Sequence, residues 1–232
     1  MPTVLLVRHG RTDANTAAVL AGRTPGTRLD GVGRAQAQSL ADRLAGVTLG
    51  AVVSSPLERC LETATALTSE RGRPAVEVDD RLTECDYGDW TGRTLATLTR
   101  TKLWQIVQTH PSAATFPGGE SLRSIQARAV EAVRSHDARV AADAGPNAVW
   151  VAVSHGDVIK AVVADALGLH LDLFQRLVVD AGSVTIIRYA DLRPFVVRLN
   201  DTGGDLSGLR PRARRRRRPS SDATVGGAAG TT

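Results

Sequence analysis

The sequence predicts an α/β sandwich built on a mainly parallel sheet. Short apolar runs alternate with helix-patterned segments from Thr3 to about Gly168, as expected of strand–helix units. Two more strand-like runs, Ser183–Tyr189 and Phe195–Leu199, follow each other directly and read as two antiparallel edge strands. One ending also recurs: Val4–Val7 runs into Arg8-His9-Gly10, and Val149–Val153 into Ser154-His155-Gly156.

Thr3–Val7 is an apolar run of the buried-strand type. A polar, Gly-rich loop follows from Gly22 to Arg28. Asp30 caps a predicted helix over Gly31–Leu44, with Ala35, Leu40 and Leu44 on its apolar side. Ala51–Ser54 is the second strand, and Pro56 suits the first turn of a helix to about Ser69. Val76–Val78 is an edge strand, and Leu82–Gly92 a polar, Gly-punctuated loop. Leu95–Thr109 is helical in pattern and stops before Pro111. Pro117-Gly118-Gly119 is a turn, after which Ser121 caps a long helix to about Asp143. Val149–Val153 is a strand, and Asp157–Leu167 a helix ending at Gly168. No internal repeat of solenoid period is present.

The 232 residues suit one large domain and a tail. The domain is read over 1–202 and the tail over 203–232. The tail holds seven Arg and two Asp, which account for the whole net charge of +5. Gly, Ser, Ala, Pro and the Arg run predict a disordered, solvated, basic C-terminal tail. It lacks the interleaved aromatics of a specific nucleic-acid binder, so contact there would be electrostatic and salt-sensitive. No apolar run reaches the length of a membrane span, and no signal peptide is read at the N-terminus. Cys60 and Cys85 form no CxxC pair and suit a reducing compartment. A cytoplasmic protein is expected; a homodimer is compatible with the sequence but not specified by it.

The two His-Gly endings carry the chemistry. In an open α/β sheet, ligands bind at the carboxyl ends of strands, and each ending precedes a segment that can start a helix, whose N-terminus favours anions. If the strands are neighbours, His9 and His155 face one pocket. Arg8, Arg11, Asn15 and Arg59 lie near the same edge. Guanidinium forks match phosphate oxygens, so the implied ligand is a phosphoryl group. A neutral imidazole can then serve as nucleophile, with cations stabilising transfer and no metal or cofactor required. The leaving oxygen needs a proton from Glu84 or Asp86, and that carboxyl must stay protonated near neutral pH.

Six segments in order resemble the histidine phosphatase superfamily, in its phosphoglycerate mutase-like branch. Arg8-His9-Gly10-Arg11-Thr12 with Asn15 is similar to its RHGxTxxN signature, and Leu29–Ala37 to its LTxxGxxQA segment. Ser54–Ala64 is similar to SSxxxRxxxTA. Leu82–Glu84 with Gly88, Trp90 and Gly92 resembles the loop LxExxxGxWxG. Phe116–Ser121 resembles PGGES, and Ser154-His155-Gly156 is the second histidine motif. The resemblance implies a three-layer α/β/α sandwich with a mixed sheet, and a small cap from about residues 82 to 121. It implies His9 as the phosphorylated nucleophile and Glu84, rather than Asp86, as proton donor. Arg8, Arg59 and His155 would form the phosphate pocket, with Asn15, Gly22 and Gly156 as further substrate contacts.

Thr16–Arg28 lacks the longer, Trp-containing stretch of the mutases, and a mutase must keep its phosphoryl-enzyme dry. The expectation is therefore a metal-independent phosphatase acting on small phosphomonoesters through phosphohistidine. A phosphomutase with the same intermediate and a non-catalytic phosphometabolite binder are the alternatives. His110, His136 and His170 read as surface or capping residues, Cys60 and Cys85 as small packed residues, Trp104 and Trp150 as core, and Trp90 as loop packing. One of Arg11, Arg23 and Arg28 is a candidate for touching an anionic substrate.

Overall fold

The structure, a computed structural model, describes residues 2–70 and 72–204. The expected disordered tail lies outside them, apart from its first two residues. Among the described residues there are six strands: β1 (Thr3–Arg8), β2 (Leu49–Ser54), β3 (Val76–Val78), β4 (Val149–Ser154), β5 (Val184–Tyr189) and β6 (Pro194–Asp201). The helices are α1 (Asp13–Thr16), α2 (Gly31–Leu44), α3 (Glu58–Leu67), α4 (Leu95–Leu98), α5 (Lys102–Thr109), α6 (Leu122–Ala144) and α7 (Gly156–Ala166). The strands form one sheet in the order β3-β2-β4-β1-β5-β6. The first four are mutually parallel; β5 is antiparallel to both β1 and β6.

Period-two alternation along β1 splits the core into two layers. Leu5 and Val7 pack with Leu40, Leu44, Ala64 and Leu67 of α2 and α3. Val4 and Leu6 pack on the other face with Ile125, Val133, Val158 and Val162 of α6 and α7. The result is the expected three-layer sandwich. Residues 82–121 add a cap whose own core is aromatic: Trp90 stacks on Trp104 at 6.2 Å, and Phe116 meets Trp90 and Tyr87 edge-on. Backbone bonds from Leu20 to Arg93, Gly92 to Leu20 and Leu95 to Ala18 tie the cap to the segment after β1.

Asp30 and Ser121 cap α2 and α6 through side-chain oxygens, accepting from Gly33 N at 2.7 Å and Ser124 N at 3.1 Å. Four local expectations are corrected. Ala35 is exposed; the buried stripe of α2 is Gly33, Ala37, Leu40, Ala41 and Leu44, a 3.6-residue period that puts position 35 opposite. Pro56 precedes α3 instead of opening it, because Leu57 is still extended (φ −74°, ψ 139°). The segment 95–109 breaks into α4 and α5: the Thr101 hydroxyl donates to Leu98 O and accepts from Trp104 N, a local bond that competes with helix continuity. Only β6 is an edge on its side of the sheet; β5 is enclosed between β1 and β6.

Two glycines let the first loop reach the site. A Cβ on Gly10 would overlap the Gly33 carbonyl oxygen, and a Cβ on Gly33 would overlap the Arg11 carbonyl oxygen. The chain after β1 therefore rests directly on the first turn of α2. Forcing extra atoms into such a contact costs about 1–3 kcal/mol, so Gly33→Ala is expected to lose that much in urea unfolding. Gly31→Ala, where a Cβ would meet open space, is the control and should leave stability unchanged or slightly raised. Equal stability of both variants would contradict the close approach.

Candidate active site

β1 and β4 are neighbours in register, with Arg8 opposite Ser154. Each strand is followed at once by its histidine, and His9 N donates to Ser154 O at 3.0 Å. The two imidazoles consequently meet edge to face, with centroids 5.2 Å apart. Both are buried, as are Arg8, Arg59 and Glu84.

Arg59, in the first turn of α3, links the pieces. Its Nε donates to His9 Nε2 at 3.3 Å, and its Nη2 to Gly22 O at 2.8 Å and His155 Nδ1 at 3.3 Å. Gly22 presents that carbonyl from a left-handed backbone (φ +53°) that suits glycine. Arg59 Nη1 is buried with no hydrogen-bond partner, and a buried donor of this kind calls for an acceptor from outside the chain. Arg8 Nη1 donates to Val179 O at 2.8 Å.

The partners fix the tautomers. His9 Nδ1 lies 2.7 Å from Gly10 O; a carbonyl only accepts, so the proton sits on Nδ1. Burial, then Arg59 and Arg8, push the His9 pKa well below its ordinary value, so the ring is neutral and Nε2 carries a lone pair. Burial and the same cations also hold His155 neutral. Its Nδ1 accepts from Arg59, so its Nε2 carries the proton toward Ser55 Oγ at 2.8 Å.

Glu84 completes the ring of groups. Its Oε1 accepts from Cys85 N at 2.9 Å, and its Oε2 lies 3.7 Å from His155 Nδ1. With His155 neutral, the latter is not an ion pair. Burial, then the Asp157 carboxylate, raise the Glu84 pKa to about 7. Asp86 is directed elsewhere: its Oδ1 accepts from Gly88 N within its own turn.

The other candidates separate. Asn15 Oδ1 accepts from Thr12 N and Oγ1 in a capping box on α1, and Asn15 has no hydrogen bond to the other candidates among the described residues. Gly156 is buried as the first residue of α7, a helix N-terminus at the pocket. Arg11 pairs with Asp30 and Arg28 with Glu62. Arg23 alone of those three touches the site loop, through Glu84 O at 2.9 Å, and it also pairs with Glu120. Cys60 is buried against His155, its thiol pushed up to about 12 by burial, and Cys85 is buried too. His110 and His170 are exposed; His136 is half-buried and bonds Asp79.

Ser55, Thr63, Tyr87, Arg128 and Asp157 escaped sequence reasoning. Thr63 Oγ1 accepts from Gly10 N at 3.1 Å and so supports the loop that follows His9. Arg128 donates to the carbonyls of Arg81, Thr83 and Glu84 and pairs with Glu120, holding the Glu84 loop. Ser55 and Thr63 sit inside the Ser54–Ala64 block and Tyr87 inside the Leu82–Gly92 loop, which was their only signal; Asp157 follows the second histidine motif and Arg128 lies in the long helix, with no signal of their own. Among the described residues, no three His, Cys, Asp or Glu side chains are gathered to hold a metal, and no helix is long and apolar enough to cross a membrane.

Glu84 also makes a stability prediction. Its folded pKa of about 7 exceeds the ordinary 4.5, so folding is penalised as pH rises from 4.5 through 7 and the penalty is complete above that. Glu84→Gln should therefore have a higher Tm than the parent at about pH 8, and the gain should vanish toward pH 4.5. A gain that grows on acidification would contradict the assigned environment.

Comparisons with known proteins identify the family and the fold. Residues 4–202 match the family model of the histidine phosphatase superfamily (branch 1). Over 172 residues the chain is 34% identical to a glucosyl-3-phosphoglycerate phosphatase of Mycolicibacterium vanbaalenii, covering 73% of this chain and 76% of that one. It is 30% identical to the Proteus mirabilis protein named "Probable phosphoglycerate mutase GpmB", covering 90% and 95%. The solved mycobacterial glucosyl-3-phosphoglycerate phosphatase Rv2419c in complex with VO3 superposes with a TM-score of 0.77 at 29% identity, covering 85% and 98%. The chain belongs to the histidine phosphatase superfamily.

Proposed function

We propose that the protein hydrolyses small-molecule phosphomonoesters through a phosphohistidine on His9, without a metal. The observation that carries this reading is the buried, neutral His9 whose Nε2 faces the Arg59 guanidinium while its Nδ1 proton is held by Gly10 O. An entering phosphoryl group replaces Nε2 as the acceptor for Arg59 Nε–H and supplies the acceptor missing at Nη1. Arg8, the N-terminus of α7 at Gly156 and the Asn15 amide add positive potential. The phosphate charge offsets the cations that depress His155, which can then bind as imidazolium and donate from Nδ1.

The reaction follows in two balanced steps. His9 Nε2 attacks phosphorus, the P–O ester bond breaks, and Glu84 transfers its proton to the departing oxygen. Water then attacks the phosphohistidine, the P–N bond breaks, and the Glu84 carboxylate takes the water's proton, which restores both groups. A Glu84 pKa of about 7 suits a group that must act as acid and then as base near neutrality.

The substrate is expected to be a phosphorylated metabolite, since relatives include phosphatases of phosphorylated sugar acids and amino acids. A mutase relative keeps phosphoryl transfer to a second alcohol as the competing reading. With 32P-labelled ester, phosphatase action puts label in free phosphate; label accumulating in a second ester would establish a mutase instead.

His9→Ala should lose more than about 10³-fold in kcat with the fold retained, and the parent trapped with labelled ester should carry acid-labile label on His9. Near-wild-type turnover, or label on another residue, would overturn the assignment. Excess EDTA should leave turnover unchanged; strong inhibition would contradict a reaction run by side chains alone.

A further inference from the structure

A second buried polar cluster stands behind Glu84, and the reaction above does not use it. Asp157, the second residue of α7, is fully buried. Tyr87 Oη donates to Asp157 Oδ2 at 2.8 Å, and Lys160 Nζ lies 3.8 Å from Oδ1 while donating to Gln175 Oε1 at 3.1 Å. Tyr87 follows Glu84 by three residues, and Asp157 follows His155 by two. The Tyr87–Asp157 bond therefore fastens the Glu84 loop to the helix that begins at the second histidine.

The charges facing Glu84 make a buried carboxylate there informative. β1 contributes Arg8, and the loop after it His9 and Arg23; α3 contributes Arg59 and Cys60. The Glu84 loop contributes Cys85 and Tyr87, the turn before α6 Glu120, α6 Arg128, the residue that precedes α7 His155, and α7 itself Asp157 and Lys160. Burial keeps both histidines neutral and both thiols and the phenol protonated. Glu120 is paired with both Arg23 and Arg128. The arginines alone would pull the Glu84 proton off. Asp157 is the anion in place to oppose them.

We propose that Asp157 is a positioning residue that acts on the reaction through Glu84: it fixes the acid's loop by its bond to Tyr87, and its negative charge keeps the Glu84 carboxyl in the form that donates to the leaving oxygen. This rests on Glu84 being the proton donor. Lys160 accompanies Asp157 so that the buried carboxylate has a partner in the absence of substrate.

The test uses two esters. 4-Nitrophenyl phosphate releases a stable anion and needs little proton transfer; glycerol 2-phosphate releases an alkoxide and needs it fully. Asp157→Asn keeps an oxygen for Tyr87 and removes the charge. It should move the basic limb of the kcat/KM profile for glycerol 2-phosphate down by about one pH unit, a loss of about tenfold above that limb and none below it. Its rate on 4-nitrophenyl phosphate should change less than about twofold. Tyr87→Phe keeps the charge and loosens the loop, so both esters should slow without a shift of the limb. If Asp157→Asn is poorly folded, the Asp157→Asn/Lys160→Met double variant, which leaves no lone buried charge, takes its place; the limb should then move in the same direction by less than one pH unit, because the opposing Lys160 charge leaves with Asp157. An unmoved limb, or equal loss on both esters, would overturn the proposal and leave Asp157 a packing residue. Glu84→Gln tests the underlying assignment separately: if it shows no selective loss on glycerol 2-phosphate, Glu84 is not the acid, whatever Asp157 does.

Discussion

The structure turns on one buried guanidinium. Arg59 leaves the first turn of α3 and donates to His9, His155 and the Gly22 carbonyl at once. Those contacts require the ends of β1 and β4 to be adjacent, the loop after β1 to fold back over the pocket, and α3 to start just beside it. The sheet meets the first demand by placing β4 between β2 and β1. The glycine contact between residues 10 and 33 meets the second, because any side chain there would lift the loop off α2. A buried cation with an unfilled donor is costly, and in the proposed reaction that cost is offset by the entering phosphate.

The same burial acts in opposite directions on the two kinds of reactive group. It lowers the imidazoles, which lose their charge, and raises the carboxyl, which keeps its proton. A neutral imidazole and a protonated carboxyl therefore coexist at one pH, as the proposed nucleophile and acid require, although cations alone would have ionised the carboxyl. Loop anchoring has the same logic. Arg128 takes the carbonyls of Arg81, Thr83 and Glu84, and Tyr87 reaches back to α7, so the Glu84 loop is held from both sides.

Much of this was legible in the sequence wherever the signal is local. Asp30 and Ser121 announce their helices because a cap is read within four residues, and the His-Gly endings of β1 and β4 mark the site because strand ends and ligand edges coincide. The failures have nonlocal causes or hinge on one dihedral. Nothing near Val184 says that β5 pairs with β1 on its inner side, and nothing near Leu57 says that the chain stays extended past Pro56. Ala35 fell on the wrong side of its helix because alanine is indifferent to burial. Ser55, Tyr87 and Asp157 meet partners 100 and 70 residues away, so no periodicity or motif exposes their contacts. Arg11, Arg23 and Arg28 look alike in sequence, and only the fold sets Arg23 on the Glu84 loop.

The claim beneath the rest is the protonation state of one ring: His9 neutral, its proton on Nδ1, its Nε2 lone pair directed at the Arg59 guanidinium. Two-bond 15N–1H NMR on the folded, ligand-free protein reads that state directly. The account predicts that the His9 resonances show the neutral Nδ1–H tautomer at neutral pH and that the ring gains no second proton on acidification through the ordinary histidine value of 6.5. An imidazolium at neutral pH, or a proton on Nε2, would contradict it.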